Sequence, residues 1–189
     1  MNFGRLCLLL ACGLVPVAAC GADAAYHFSM AKRMQAEGKW DEALRHYQAV
    51  LTLRGDDAAV RHNMALIFLA FPDLDRARPQ AERAVRLDPK DGRYRVTLAV
   101  IVLNGASKDP LEARPALEEA EAILKVAVKH LERAKDHPGL ATAYYNLGTI
   151  HQRRNQYRKA RDYFRLALKW NPDDQRALNA LEDLGSAAD

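Results

Sequence analysis

The chain has 189 residues, 49% apolar and 28% charged, with a net charge of +4, enough for one domain with a buried core. Basic residues are mixed with acidic ones, form no block of five or six and are not interleaved with aromatics, so the mild positive charge does not describe a nucleic-acid surface. All three cysteines, Cys7, Cys12 and Cys20, fall near the start, which excludes a disulfide framework or a thiolate metal site in the remainder.

Residues 1–19 place one cation, Arg5, before a short apolar run and a small-residue exit. That is the layout of a secretory signal peptide, and the run is too short for a good membrane span. Its removal, with Arg5, leaves a net charge of +3. The exit Val17-Ala18-Ala19-Cys20 resembles the bacterial lipobox. The resemblance implies that the Cys20 thiol carries the lipid, that Cys20 becomes the mature N-terminus, and that residues 20–23 form a short linker. Several acyl chains together anchor stably where one does not. Gly21 follows in place of the Asp associated with inner-membrane retention, so the expectation is a protein held in the outer membrane and facing the periplasm. Cleavage after Ala24, behind Ala22-Asp23-Ala24, is the alternative and would leave a soluble periplasmic protein.

Beyond the leader the chain repeats. Met30-Ala31, Met64-Ala65 and Leu98-Ala99 are spaced by 34 residues, and Leu147-Gly148 follows after 49. Ala43 and Ala77 are 34 apart, and Ala160 continues the series. Small residues at fixed places let two antiparallel helices cross closely, and the large residues beside them fill the gaps. A pair of helices leaves an apolar face that only the next pair can cover, so such repeats stack.

The residues resemble the tetratricopeptide repeat family. Tyr144, Leu147-Gly148, Tyr157, Ala160, Phe164, Ala167 and Pro172 fall in that family's order, as do Gly38, Trp40, Ala43 and Tyr47. The second repeat keeps Ala65, Phe68, Ala77, Ala84 and Pro89 but has Phe71-Pro72 where a glycine turn is usual. The resemblance implies an all-α solenoid of four helix pairs, over 24–57, 58–91, 92–140 and 141–174, closed by a capping helix within 175–189. The third repeat is 15 residues long in excess, two in its turn and 13 after it. Asp109-Pro110 reads as an N-cap and first helical residue, and the helix it opens runs to about Ala134. Its stripe of Leu117, Ala120, Ile123, Leu124, Ala127, Val128 and Leu131 is expected to pack on the fourth repeat, the alternative being an arm for a partner.

No catalytic chemistry is legible. The ten glycines are scattered and make no phosphate loop, and the six histidines make no metal-ligand spacing. His130 and His137 read as residues near a helix C-terminus. No enzyme, metal or cofactor is expected. The family resemblance instead implies binding of a protein or peptide partner on the surface lined by the first helices. Its register places Phe28 and Lys32 there from the first repeat, and His62, Asn63, Leu66 and Leu69 from the second. Arg93, Val96, Val100 and Leu103 follow from the third, and Thr142, Tyr145, Asn146, Thr149 and Arg153 from the fourth. Its middle is apolar, which suggests a partner, and an amide at Asn63 or Asn146 can bond both groups of a peptide backbone. Chaperone-type members grip a terminal carboxylate with a Lys-Asn-Asn-Lys-Arg set, and Phe28 stands where that set should open. The expected ligand is therefore an apolar segment, extended or helical. In layout the chain resembles tetratricopeptide lipoproteins that assist pilus secretins; a scaffold for periplasmic cell-wall enzymes is the other reading. Nothing in the sequence sets the oligomeric state.

Overall fold

A computed structural model describes residues 17–186 of the chain, with side chains over 23–185. Most of the leader therefore lies outside the described residues; the backbone of Cys20 is inside them and its side chain is not. Everything described is helix and short turn, and it divides into two compact units, one ending at Gly55 and one beginning at Asp56.

The first unit is the pair α1 (Val17–Ala36) and α2 (Trp40–Arg54). Ala31 and Ala43, the small residues of the repeat, are both fully buried. Their size lets the helices approach closely enough to bury Tyr47, whose hydroxyl donates to Gln35 Oε1 at 2.8 Å. The turn uses Gly38 at φ +73°, and α2 ends on Gly55 at φ +79°, a left-handed backbone that glycine enters without penalty.

The second unit holds α3 (Ala58–Ala70), α4 (Leu74–Leu87), α5 (Gly92–Gly105), α6 (Pro110–Ala134), α7 (His137–Arg153), α8 (Tyr157–Trp170) and α9 (Gln175–Ser186). Aspartate begins nearly every helix. Asp57, Asp73, Asp91, Asp109 and Asp136 each accept from a backbone N–H of the first turn they precede, and Asp174 does so for α9. Each such cap is worth ~1 kcal/mol. Within the pairs, Ala65, Ala77, Ala99, Ala113, Gly148 and Ala160 are buried at the crossings.

The lengthened helix α6 packs and does not project. Leu117, Ala120, Leu124, Ala127 and Leu131, spaced alternately by three and four residues, are all buried against the stack, while Ile123 and Val128 are half-buried. At its end Leu131 is wedged between two glycines: a Cβ at Gly92 or at Gly139 would lie 2.6 Å from a Leu131 side-chain carbon. The first residues of α5 and α7 are thus seated on the extension. His137 is a correction to the sequence reading: it opens α7 behind Asp136 instead of closing α6, with its ring 4.8 Å from that of Trp170. Helix α9 closes the stack by setting Leu184 on Ala160 and Phe164.

Candidate functional site

In the second unit the first helices of the three pairs, α3, α5 and α7, line a groove of about 450 Å³. Leu66, Val96 and Pro138 supply its apolar wall, with the hydroxyl-bearing Thr97 and Thr142 between them. His62 stands at one end with its ring tilted on Tyr94 at 4.8 Å. Its Nδ1 is buried without a partner, and burial pushes the imidazole down to about 4, so it is neutral at physiological pH. Arg93 grips Asp91 through both Nε and Nη2, at 3.0 and 2.6 Å, and lies 3.9 Å from Asp136. Burial alone would raise Asp91, but those hydrogen bonds outweigh it and hold the carboxyl below its ordinary range. Arg93, the cation among the lining residues, is thereby neutralised in place.

The structure brings together His62, Leu66, Arg93, Val96 and Thr142 of the expected set. The others have different surroundings. Phe28, in the first unit, is half-buried with its ring edge-on to Tyr47 at 6.0 Å, while Lys32 is exposed. Asn63, Leu69 and Val100 are half-buried outside the lining of the groove. The apolar stripe is also less open than expected, because Val96 and Leu103 keep only 6% and 7% of their surface.

The fourth repeat departs furthest from expectation. Asn146 is buried and its amide donates to Thr142 O at 2.8 Å within its own helix, so it does not face a ligand backbone. Thr149 donates likewise to Tyr145 O. Tyr145 lies between Phe164 and the guanidinium of Arg176, which sits 4.7 Å from its ring centre. Arg153 points at the end of α5, donating to the carbonyls of Leu103 at 3.1 Å, Ala106 at 3.4 Å and Ser107 at 2.6 Å. These side chains hold the stack together.

Residues 34–101 and 116–169 match sequence models described as the tetratricopeptide repeat, together well over half of the chain. The chain belongs to the tetratricopeptide repeat family. Solved structures agree on the fold. TTC0263, a tetratricopeptide repeat protein of Thermus thermophilus, superposes with a TM-score of 0.73 at 18% identity, covering 87% of this chain and 82% of that one. PilF of Pseudomonas aeruginosa gives 0.73 at 16%, covering 90% and 71%. YrrB, described as a tetratricopeptide repeat protein with an unusual peptide-binding site, gives 0.64 at 18%, covering 88% and 81%.

Within this tetratricopeptide stack the groove has members that the repeat register does not supply. Asp136 reaches it from the α6–α7 turn, and Pro138 and Gly139 from the first turn of α7, both placed by the lengthened α6. The insertion itself is the sequence signal for them. Thr97, buried in α5, has no signal that separates it from a core-side residue. Among the described residues no group of three His, Cys, Asp or Glu is placed to hold a metal ion, and no helix is long and apolar enough to cross a membrane.

Proposed function

We propose that this chain is an envelope adaptor, lipid-anchored at Cys20, that holds an apolar segment of a partner protein between α3, α5 and α7. The observation that carries this reading is the charge state of the groove. Its wall is Leu66, Val96 and Pro138, its imidazole is neutral, and its guanidinium already belongs to Asp91. A ligand carboxylate would find no uncommitted cation there, whereas an apolar side chain would meet the apolar wall, and the Thr142 hydroxyl, which donates to Pro138 O, keeps its acceptor side for a backbone N–H. The peptide-binding site named for YrrB supports use of such a stack for peptides. The layout of a leader, Cys20 and a short tetratricopeptide stack, which resembles lipoproteins that assist pilus secretins, favours a partner in pilus or secretin assembly over a cell-wall enzyme. The chain acts by binding and carries out no chemistry.

Photo-crosslinking from the groove in living cells tests the reading. Leu66→Asp with Thr142→Glu should abolish the crosslinked partner while leaving the helical circular-dichroism signal intact. A partner retained at wild-type level by that folded double variant would remove the groove from the account. Palmitate labelling should be lost in Cys20→Ser; labelling that persists would refute the anchor. Secretin multimers that form normally without the chain, alongside a mislocalised cell-wall enzyme, would favour the scaffold instead.

A further inference from the structure

A second surface lies on the edge where the first helix of each pair turns into the second. Two contacts in the second unit set these turns side by side. Leu74 Cδ1 would be 3.5 Å from a Cβ at Gly105, and Arg153 reaches Ser107 O at 2.6 Å. The three most exposed large apolar side chains of this unit all fall here: Leu111 at 74%, Phe71 at 55% and Tyr157 at 47%. One stands at each turn, so the exposure follows the repeat and is not scattered. Between the first turns of α6 and the end of α7 the edge opens into a cleft of about 580 Å³, with Leu111 on its rim.

The cleft carries cationic groups without matching anions. Arg114 makes no hydrogen bond or ion pair among the described residues. Arg153 is bonded to backbone carbonyls, not to a carboxylate. Arg154 pairs with Glu121, but Glu121 also serves Lys125 at 2.6 Å, and Arg154 Nη2 is left buried without a partner. Glu118 completes the charged lining, so three guanidiniums face two carboxylates, one of them already shared. A carboxylate entering beside Arg114 would restore the balance, and an apolar neighbour would cover Leu111.

We infer that this cleft is a second docking site, separate from the groove, for a partner segment carrying an acidic side chain next to an apolar one. The recess favours a peptide over an anionic bilayer. A flat headgroup layer cannot enter it and would meet Glu118, whereas one carboxylate on a flexible chain can pass between the arginines. The feature arises where this chain departs from its own repeat, at the lengthened α5–α6 turn that lifts Leu111 clear of the stack.

Random peptides displayed on phage are selected against the purified chain, remade synthetically and titrated by fluorescence anisotropy. Selected peptides should carry Asp or Glu beside an apolar residue. Arg114→Glu, Leu111→Asp, or exchange of the peptide's acid for its amide should each weaken binding about tenfold or more. Arg114→Lys should keep most of it, and Leu66→Asp in the groove should leave it unchanged. Positions 111 and 114 are exposed, so both variants keep the fold, as circular dichroism will show. Selected peptides without an acid, or ones lost with Leu66→Asp but not with Arg114→Glu, overturn the site. Anionic vesicles binding through Arg114 while no peptide does would also overturn it and assign the edge to lipid.

Discussion

Gly148 lies directly beneath the ring of Phe164. A Cβ at position 148 would fall 2.5 Å from Phe164 Cε1 and 2.6 Å from Cδ1, and the ring is wholly buried. The same register sets Ala31 with Tyr47 and Ala65 with Ala81, so a ring can face an alanine here; what sets Gly148 apart is that Phe164 carbons already occupy the space of its Cβ. Two effects compete in Gly148→Ala. Helix propensity favours alanine by about 1 kcal/mol, while overpacking a filled core costs about 1–3 kcal/mol. Because two carbons of a buried ring would lie closer than any ordinary contact allows, overpacking wins, and urea denaturation should show a net loss of about 1–2 kcal/mol. Adding Phe164→Leu should return part of it, because the clashing carbons are gone. A Gly148→Ala protein more stable than wild type would show that the ring gives way.

Arg153 acts as a clamp. Its guanidinium spans the carbonyls of Leu103, in the last turn of α5 and already accepting from Ala106 N–H, and of Ala106 and Ser107 just beyond the helix. Hydrogen bonds to a charged donor are worth about 1.5–3 kcal/mol. Arg153→Ala should lower stability by about that much, and Arg153→Lys should recover little, since a single ammonium lacks the planar fork. Both variants should still bind the groove ligand. Loss of that binding in a protein of unchanged stability would return Arg153 to the groove.

The stack was legible because its signal is steric. Ala31, Ala65, Ala99 and Gly148 recur for a reason that sequence displays, since any larger residue would part the helices. Asp109-Pro110 likewise announced α6, and the cap is there, with Asp109 accepting from the N–H groups of Leu111 and Glu112. The groove was legible only in part, because register tells which face a residue takes but not what its neighbours do with it. Asn146 and Arg153 sit at the right positions on α7, yet each finds a backbone carbonyl within reach, one in its own helix and one at the end of α5. The direct bond between His27 and His46, 2.8 Å between their Nδ1 atoms, has no sequence signal, because 19 residues and a turn separate the two.

His62 should make the protein sensitive to mild acid. In the folded chain burial pushes it down to about 4 from an ordinary 6.5. Between those values the unfolded chain takes up a proton that the folded chain refuses, so stability falls as pH is lowered through that window and rises as pH is raised. The full effect is roughly 3 kcal/mol. The window lies above the range where Asp91 and Asp174, both held below their ordinary values, become protonated. Urea midpoints measured from pH 7 to pH 4 should decline steadily for the wild type, and His62→Phe, which keeps a ring on Tyr94, should flatten that decline. An unchanged slope in His62→Phe would place the acid sensitivity elsewhere.

Lys135 marks a site where the chain can be made more stable. It ends α6 in the left-handed region, at φ +55° and ψ +35°, with its N–H bonded to Glu132 O and that of Asp136 to Leu131 O. A side chain in that conformation costs roughly 1–2 kcal/mol that glycine does not incur. Against this, glycine has more freedom to lose from the unfolded chain, by about 0.5–1 kcal/mol. Lys135 is exposed, so its removal sacrifices no buried contact. The balance favours Lys135→Gly by about 0.5–1 kcal/mol, read as a higher urea midpoint at unchanged slope. Asn155, at φ +57°, should gain less, because asparagine already tolerates this region and its side chain accepts from the Tyr157 hydroxyl at 2.9 Å. Equal gains at the two positions would mean that backbone conformation alone sets the effect. A loss at Lys135 would mean that the end of α6, with Leu131 wedged between Gly92 and Gly139, depends on a stiff residue after it.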